Sequence, residues 1–242
     1  MGRTFITGDT HNVHDFDKII YFGRKIGGDL NKDDVMIISG DFGAIWSGSS
    51  DIPEKNLLDT YNSFSWTTVF IDGNHENHDR LDQLPTIEKF GSDVGYVNDS
   101  VLHLRRGKVY LINGKKFFTF GGGFSIDRGR RIPHISWWEQ ELPSIKECDH
   151  GIRVLEYHNN EVDYVVTHTC PRKVFEELRN NVPEGWYMKT KDAVEEIPFQ
   201  KYLQGIMDTT EFKNWFFGHF HHDIELAGGK ARCLYQDVLE VE

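Results

Sequence analysis

The stretch NWFFGHFHHD, from Asn214 to Asp223, ends an aromatic run in three histidines within four residues. Similar short motifs recur along the chain: GDTH (Gly8 to His11), GDFG (Gly40 to Gly43), GNHE (Gly73 to Glu76) and THTCP (Thr167 to Pro171). GHFH (Gly218 to His221) is the last of them. Each follows a short apolar run and carries Asp, Asn or His, and several carry a glycine that lets the backbone turn close to a ligand. The collected donors are Asp9, His11, Asp41, Asn74, His168, His219 and His221. Carboxylate, imidazole and amide oxygen donors suit borderline divalent ions such as Mn²⁺, Fe²⁺ or Zn²⁺. Seven ligands exceed what one catalytic ion with an open position takes. They suit two ions about 3.5–4 Å apart that share a carboxylate.

The elements that must position these donors follow from the runs before them. Thr4 to Thr7, Val35 to Ile38, Thr67 to Ile71, Val162 to Thr167 and Phe212 to Phe217 read as strands. Helical patterns fall between them, at Asp15 to Ile26, Pro53 to Phe64, and near 171–180 and 191–206. Such alternation signals an α/β core, whose ligands gather at the carboxyl ends of the strands. In extended chain, residues two apart point the same way, so Asp9 is expected to converge with His11, and His219 with His221. From Gly95 to Gly121, short runs split by Gly-Lys and Asn-Gly turns predict hairpins. Ser136 and Glu139 in SWWEQELP predict a capping box opening a short helix.

With these motifs in this order, the chain resembles the calcineurin-like metallophosphoesterase superfamily over nearly its whole length. The resemblance implies an αββα sandwich, two mixed sheets with helices outside, the strand-rich middle and C-terminus forming much of the second sheet. It implies one ion held by Asp9, His11 and His221, a second by Asn74, His168 and His219, and Asp41 bridging them. A metal-bridging hydroxide would attack phosphorus, with His75 as general acid or transition-state stabiliser. Mn²⁺ is the first candidate metal; Fe, Zn, Ni and Co are others. Ala44 stands where the serine/threonine protein phosphatases carry a second Asp, so the resemblance is to the bacterial and phage-type branch. The acid that orients His75 is open, with Asp72 and Asp79 as candidates.

For substrate, Arg128, Arg130 or Arg131 could clamp a phosphate in the bidentate way guanidinium favours, and His78 lies near the GNHE motif. Trp137 and Trp138 read as core-packing residues rather than base-stacking ones, and Cys170 as packing rather than a ligand. The formal charge of −11, from 27 basic and 38 acidic residues, argues against long nucleic acid and anionic membrane as partners. No run approaches the roughly 18 apolar residues of a membrane helix. The opening MGRTFITGDTHN lacks the pattern of a secretory signal. Three cysteines without a C-x-x-C fit a reducing cytoplasm. The length allows one domain over 1–242.

The expected function is hydrolysis of a phosphomonoester or a small, nucleotide-like phosphodiester. The alternatives are a non-catalytic scaffold on the same fold, and a nuclease. The sequence leaves oligomeric state open.

Overall fold

The computed structural model describes residues 2–47, 50–182 and 193–242. The predicted core strands form as β1 (Thr4–Thr7), β2 (Val35–Ile38) and β3 (Thr67–Phe70). All three are buried along their whole length. Unbroken apolar runs such as VMII suit strands covered on both faces, which parallel pairing allows. β1 pairs in parallel with β2, and β2 with β3. Between them run α1 (Asp17–Ile26) and α2 (Ile52–Ser63). Asp51 caps α2, its carboxylate accepting the Glu54 N–H at 2.8 Å, as short polar side chains do at helix starts.

After the short α3 (His78–Asp82), the middle is strand-rich: β4 (Thr86–Lys89), β5 (Ser92–Asn98), β6 (Val101–Leu104), β7 (Lys108–Ile112) and β8 (Lys115–Phe120). Asn113 and Gly114, both at positive φ (48° and 79°), make the tight turn between β7 and β8, as an Asn-Gly hairpin requires. Then come α4 (Ile145–Tyr157), β9 (Tyr164–Thr167), α5 (Arg172–Asn181) and α6 (Ile197–Thr209). The chain ends with β10 (Asn214–Phe217), β11 (Ile224–Leu226), β12 (Ala231–Cys233) and β13 (Val238–Val241).

Among the described residues the strands form two mixed sheets, ordered β13-β1-β2-β3-β6-β5-β4 and β11-β12-β10-β9-β8-β7. Their facing sides share one core, including Ile6, Ile37, Val69, Phe117, Val166 and Phe216. The alternate residues of the same strands face outward. Phe5, Met36 and Ile38 pack with Ile19, Phe22 and Leu57 of α1 and α2. Phe118, Val165 and Trp215 pack with Leu155, Leu178 and Leu203 of α4, α5 and α6. Period-two alternation thus builds the four layers, helices outside and two sheets within.

Three expectations are corrected. The middle does not belong to one sheet: β4, β5 and β6 extend the first, because β6 pairs in parallel with β3. Only β7 and β8 join the second, where β8 pairs with β9. At the C-terminus, β11 and β12 lie in the second sheet while β13 pairs with β1 of the first. SWWEQELP forms only a 3-10 turn over Glu139–Glu141. Ser136 Oγ accepts the Ile132 N–H at 2.9 Å instead of capping a helix. The reciprocal cap lies further on, where Ser144 and Glu147 open α4. The helix expected near 191–206 begins at Ile197, and residues 191 and 192 lie outside the described set.

Candidate metal centre

Both sheets deliver donors to one rim. β1, β2 and β3 run into Asp9, Asp41 and Asn74; β9 and β10 run into His168 and His219. Asp9, Asp41, Asn74, His168 and His219 are all buried, while His11 and His221 are part-exposed. Two glycines permit the close approach: a Cβ on Gly73 would overlap Asp41 Oδ1, and one on Gly218 would overlap Asp9 Oδ1.

The donors sort into groups whose ligand atoms lie within 4.8 Å of one another: Asp9–His11–His221, Asp41–His168–His219, and His11–Asp41–His75. His221 Nε2 lies 3.1 Å from Asp9 Oδ2. Asp41 faces both ways, with Oδ2 at 3.1 Å from His11 Nε2 and Oδ1 at 3.3 Å from His168 Nε2. Asn74 Oδ1 lies 3.1 Å from the same His168 nitrogen.

Strand alternation is not what brings them together, contrary to expectation. His11, Asp41, His219 and His221 have φ of 42°, 48°, 68° and 54°, so the chain has left the extended conformation at each. His219 and His221 consequently turn into different groups rather than converging.

The loops are tied by their own backbone. Asp41 O accepts the Thr10 and His11 N–H at 3.0 and 2.8 Å. Asp41 Oδ1 accepts the His75 N–H at 2.7 Å, and Asp9 Oδ1 the His219 N–H at 3.0 Å. Glu76, fully buried, accepts the Phe42 N–H at 2.7 Å, holding the turn that carries Asp41.

Charge is balanced tightly. Burial alone would raise the Asp9 carboxyl, but the His221 hydrogen bond and the His168 charge hold it at about 2. Burial would likewise raise Asp41, yet His168 and His75 keep it well below the carboxylate range. Burial works against His11 and His168 too, but Asp41 lifts them to about 9 and about 10. Burial presses His75 down to about 4, with Arg131 opposing the pull of Asp41.

The donors fit divalent cations. Their types are those that borderline ions take, and the imidazoles are oriented from behind, as ligating histidines are. His168 Nδ1 lies 2.9 Å from Ser39 O, so Nε2 is turned to the site. His11 Nδ1 lies 2.7 Å from Asp15 Oδ2. His219 Nε2 lies 3.3 Å from Glu196 Oε1.

A cavity of about 630 Å³ opens in front, with His11, Asp41, Asn74, His75, His219 and His221 among its lining and Trp46, Phe124 and Arg131 in its walls. Of the three arginines considered for substrate, Arg131 faces this space. Its Nε lies 2.8 Å from Asp127 Oδ1, its Nη1 donates to Ser136 O at 3.2 Å, and its Nη2 lies 3.4 Å from both His75 ring nitrogens. Arg128 is committed elsewhere: it pairs with Glu141 at 3.2 Å and lies over the rings of Phe124 and Trp137. Arg130 is exposed and does not line the cavity. His78 is buried behind the ligand loop, its Nε2 3.2 Å from Gly73 O, so it faces the loop and not the cavity.

Neither candidate acid reaches His75. Asp72 binds Arg106 and His103, and Asp79 binds His134, Trp138 and Gln140. Trp138 is buried and Cys170 lies in the core, as expected.

Asp15, Glu196 and Tyr235 carry site contacts that the sequence reading missed. Asp15 stands four residues after His11, a spacing that could have flagged it. Nothing local marks Glu196 or Tyr235. Among the described residues, no helix is long and apolar enough to cross a membrane.

Similarity to known proteins points the same way. The chain is 24% identical to the lariat debranching enzyme of Schizosaccharomyces pombe over a 264-residue alignment, which covers 98% of this chain and 53% of that protein. A Staphylococcus aureus crystal structure, described as a candidate 5'-nucleotidase in complex with alpha-ketoglutarate, shares the fold. Its TM-score is 0.53 at 15% identity, covering 98% of this chain and 50% of that one. The chain therefore spans about half the length of these relatives. The family model for calcineurin-like phosphoesterases matches residues 2–223. With that match spanning the five motifs and every donor at the rim, the chain belongs to the calcineurin-like phosphoesterase family.

Proposed function

We propose that residues 1–242 work as one unit, a divalent-metal-dependent phosphohydrolase. Asp9, His11 and His221 would hold one cation, and Asn74, His168 and His219 the other, with Asp41 shared between them. When bound, the cations supply Lewis acidity, making water more acidic and offsetting phosphoryl charge. His75 keeps a proton at one ring nitrogen as a neutral imidazole, and offers it to the oxygen that gains charge as the ester breaks. Arg131, held by Asp127 and Ser136, takes a phosphoryl oxygen and orients the group. Trp46 and Phe124 give the cavity apolar wall against the rest of the substrate and keep water out.

The observation that carries this reading is the position of Asp41, whose two oxygens face His11 on one side and His168 on the other. A cavity of about 630 Å³ falls within the range of about 300–1,000 Å³ seen for small-molecule sites. A nucleotide-like monoester or small diester is the substrate class that this volume supports. Three free thiols, at Cys148, Cys170 and Cys233, accord with a reducing cytoplasm.

The test is hydrolysis of chromogenic mono- and diesters by protein loaded with Mn²⁺, Fe²⁺, Zn²⁺, Ni²⁺ or Co²⁺. Turnover that needs the ion and is lost in Asp41→Ala is expected. Absence of turnover with every ion, together with no ion uptake, would overturn the reading and leave a scaffold role.

A further inference from the structure

Tyr235 lies beyond residue 223, where the family match ends, yet it reaches into the candidate centre twice. Its ring lies flat against His221, with centroids 4.6 Å apart and planes within 9°. Its hydroxyl donates to Asp15 Oδ1 at 2.6 Å. The other oxygen of Asp15 lies 2.7 Å from His11 Nδ1. One side chain therefore touches both histidines of the Asp9 group, one directly and one through a carboxylate.

The ring is well anchored for that task. The Tyr235 N–H donates to Asp223 Oδ1 at 2.8 Å. Its carbonyl accepts from the ammonium of Lys18, which also donates to Asp9 O at 2.5 Å. Lys18 is buried, and its ammonium lies 5.3 Å from the Tyr235 ring centroid. The tyrosine thus shares a backbone tether with Asp9 itself. A residue serving only to fill the core would need neither the hydroxyl contact nor a part-exposed position.

A ligating imidazole binds well only when its ring is aimed and its far nitrogen keeps the proton. Partners behind the ring supply both, and their loss typically weakens metal binding by about 10–100-fold. Asp15 can do this for His11 only while its own carboxylate is held still. The stacked ring does the aiming for His221.

We propose that Tyr235 is a positioning residue for one cation of the pair. It fixes His11 through Asp15 and His221 by stacking, so ion affinity at Asp9–His11–His221 depends on it. Affinity at Asp41–His168–His219 does not. The inference rests on the two-cation reading given above.

The experiment is calorimetric titration of Mn²⁺ into the chelator-stripped protein, with elemental analysis for stoichiometry. The set is wild type, Tyr235→Phe, Tyr235→Ala and Asp15→Asn. Wild type should take two ions. Tyr235→Phe keeps the stack and loses the hydroxyl, and should bind one ion about tenfold more weakly. Tyr235→Ala should weaken the same ion about 100-fold, with the other changed less than about twofold. Adding His168→Ala to Tyr235→Ala should remove the remaining tight ion, whereas adding His11→Ala should leave it.

Wild-type affinities for both ions in Tyr235→Phe, Tyr235→Ala and Asp15→Asn would overturn the proposal, as would equal weakening of both ions. A wild-type chain that takes up no ion would overturn the two-cation reading beneath it. Circular dichroism checks folding. Tyr235→Phe and Asp15→Asn, which keep side-chain volume, decide the matter if the alanine variant does not fold.

Discussion

Asp72 and Arg106 meet in a two-bond ion pair beneath the ligand loops, with Arg106 Nε and Nη2 at 2.8 and 2.5 Å from Asp72 Oδ2. Arg106 also donates to Gln140 O at 2.7 Å, and Asp72 O accepts the Gly122 N–H at 2.9 Å. The pair thereby joins the end of β3, the turn after β6 and the glycine loop after β8. Burial would raise the Asp72 carboxyl, but the Arg106 charge drives it far below its usual value.

Arg106→Leu should leave that carboxylate buried without its countercharge. The expected loss is about 3–5 kcal/mol of stability, as when one partner of a buried pair is removed. Urea denaturation at pH 7 measures it. A loss under about 1 kcal/mol would mean that water or His103 compensates.

His75→Ala should lower kcat by about 10²–10³-fold, the usual cost of losing one hydrogen-bond donor to a developing oxyanion. Ion content should stay at wild-type level, because the Asp9 and Asp41 groups are complete without it. Elemental analysis beside turnover checks both. Loss of an ion would instead make His75 a ligand through its group with His11 and Asp41.

Arg131→Ala should act mainly on KM. A hydrogen bond to a charged group is worth about 1.5–3 kcal/mol, so KM should rise about tenfold or more. The same change should raise the His75 pKa from about 4 towards its ordinary value, since a neighbouring positive charge is gone. Steady-state kinetics reads the first effect and an NMR titration of the stripped protein the second. Arg128→Ala, whose guanidinium is occupied by Glu141, should leave KM far less changed.

Ion binding should strengthen with pH. In stripped protein, His11 and His168 hold protons up to about 9 and about 10, and a cation must displace them. Titrations in buffers of different ionisation enthalpy should reveal proton release at pH 7. Stability of the stripped protein should run the other way. Both histidines are raised above their unfolded value of about 6.5, so their contribution is complete below that pH and declines as pH rises towards 9–10. Lys18, lowered to about 8 by burial, works in the opposite sense between about 8 and 10.5. The fall in melting temperature should therefore be clearest between pH 6.5 and 8. A melting temperature that rises across that window would contradict the charge balance described for the two histidines.

Much of the centre was legible because its donors sit in short motifs directly after apolar strands. The glycines in those motifs, such as Gly73 and Gly218, mark places where backbone must crowd a ligand. What sequence could not give was partnership across space. Hairpin patterns identified β6 to β8 but not which sheet each would join, because register with β3 or β9 is a tertiary choice. Three arginines within four residues looked equivalent until Glu141 claimed Arg128 and the loop turned Arg131 inward. His78 read as a site residue from proximity alone, and burial put it behind the loop. Helix α4 went unread because its inward face begins with Cys148 and Gly151, which give only a weak apolar stripe before Leu155.

Four donors, His11, Asp41, His219 and His221, sit where φ is positive. Side chains with a Cβ resist that region, at about 1–2 kcal/mol per residue. These four candidate donors would thus grip a cation from backbone that side-chain-bearing residues resist, held there by the loops at the ends of the two sheets. Durability and tight grip pull against each other at these four residues: a chain shaped for longevity alone would favour glycine there and would have no hand to close.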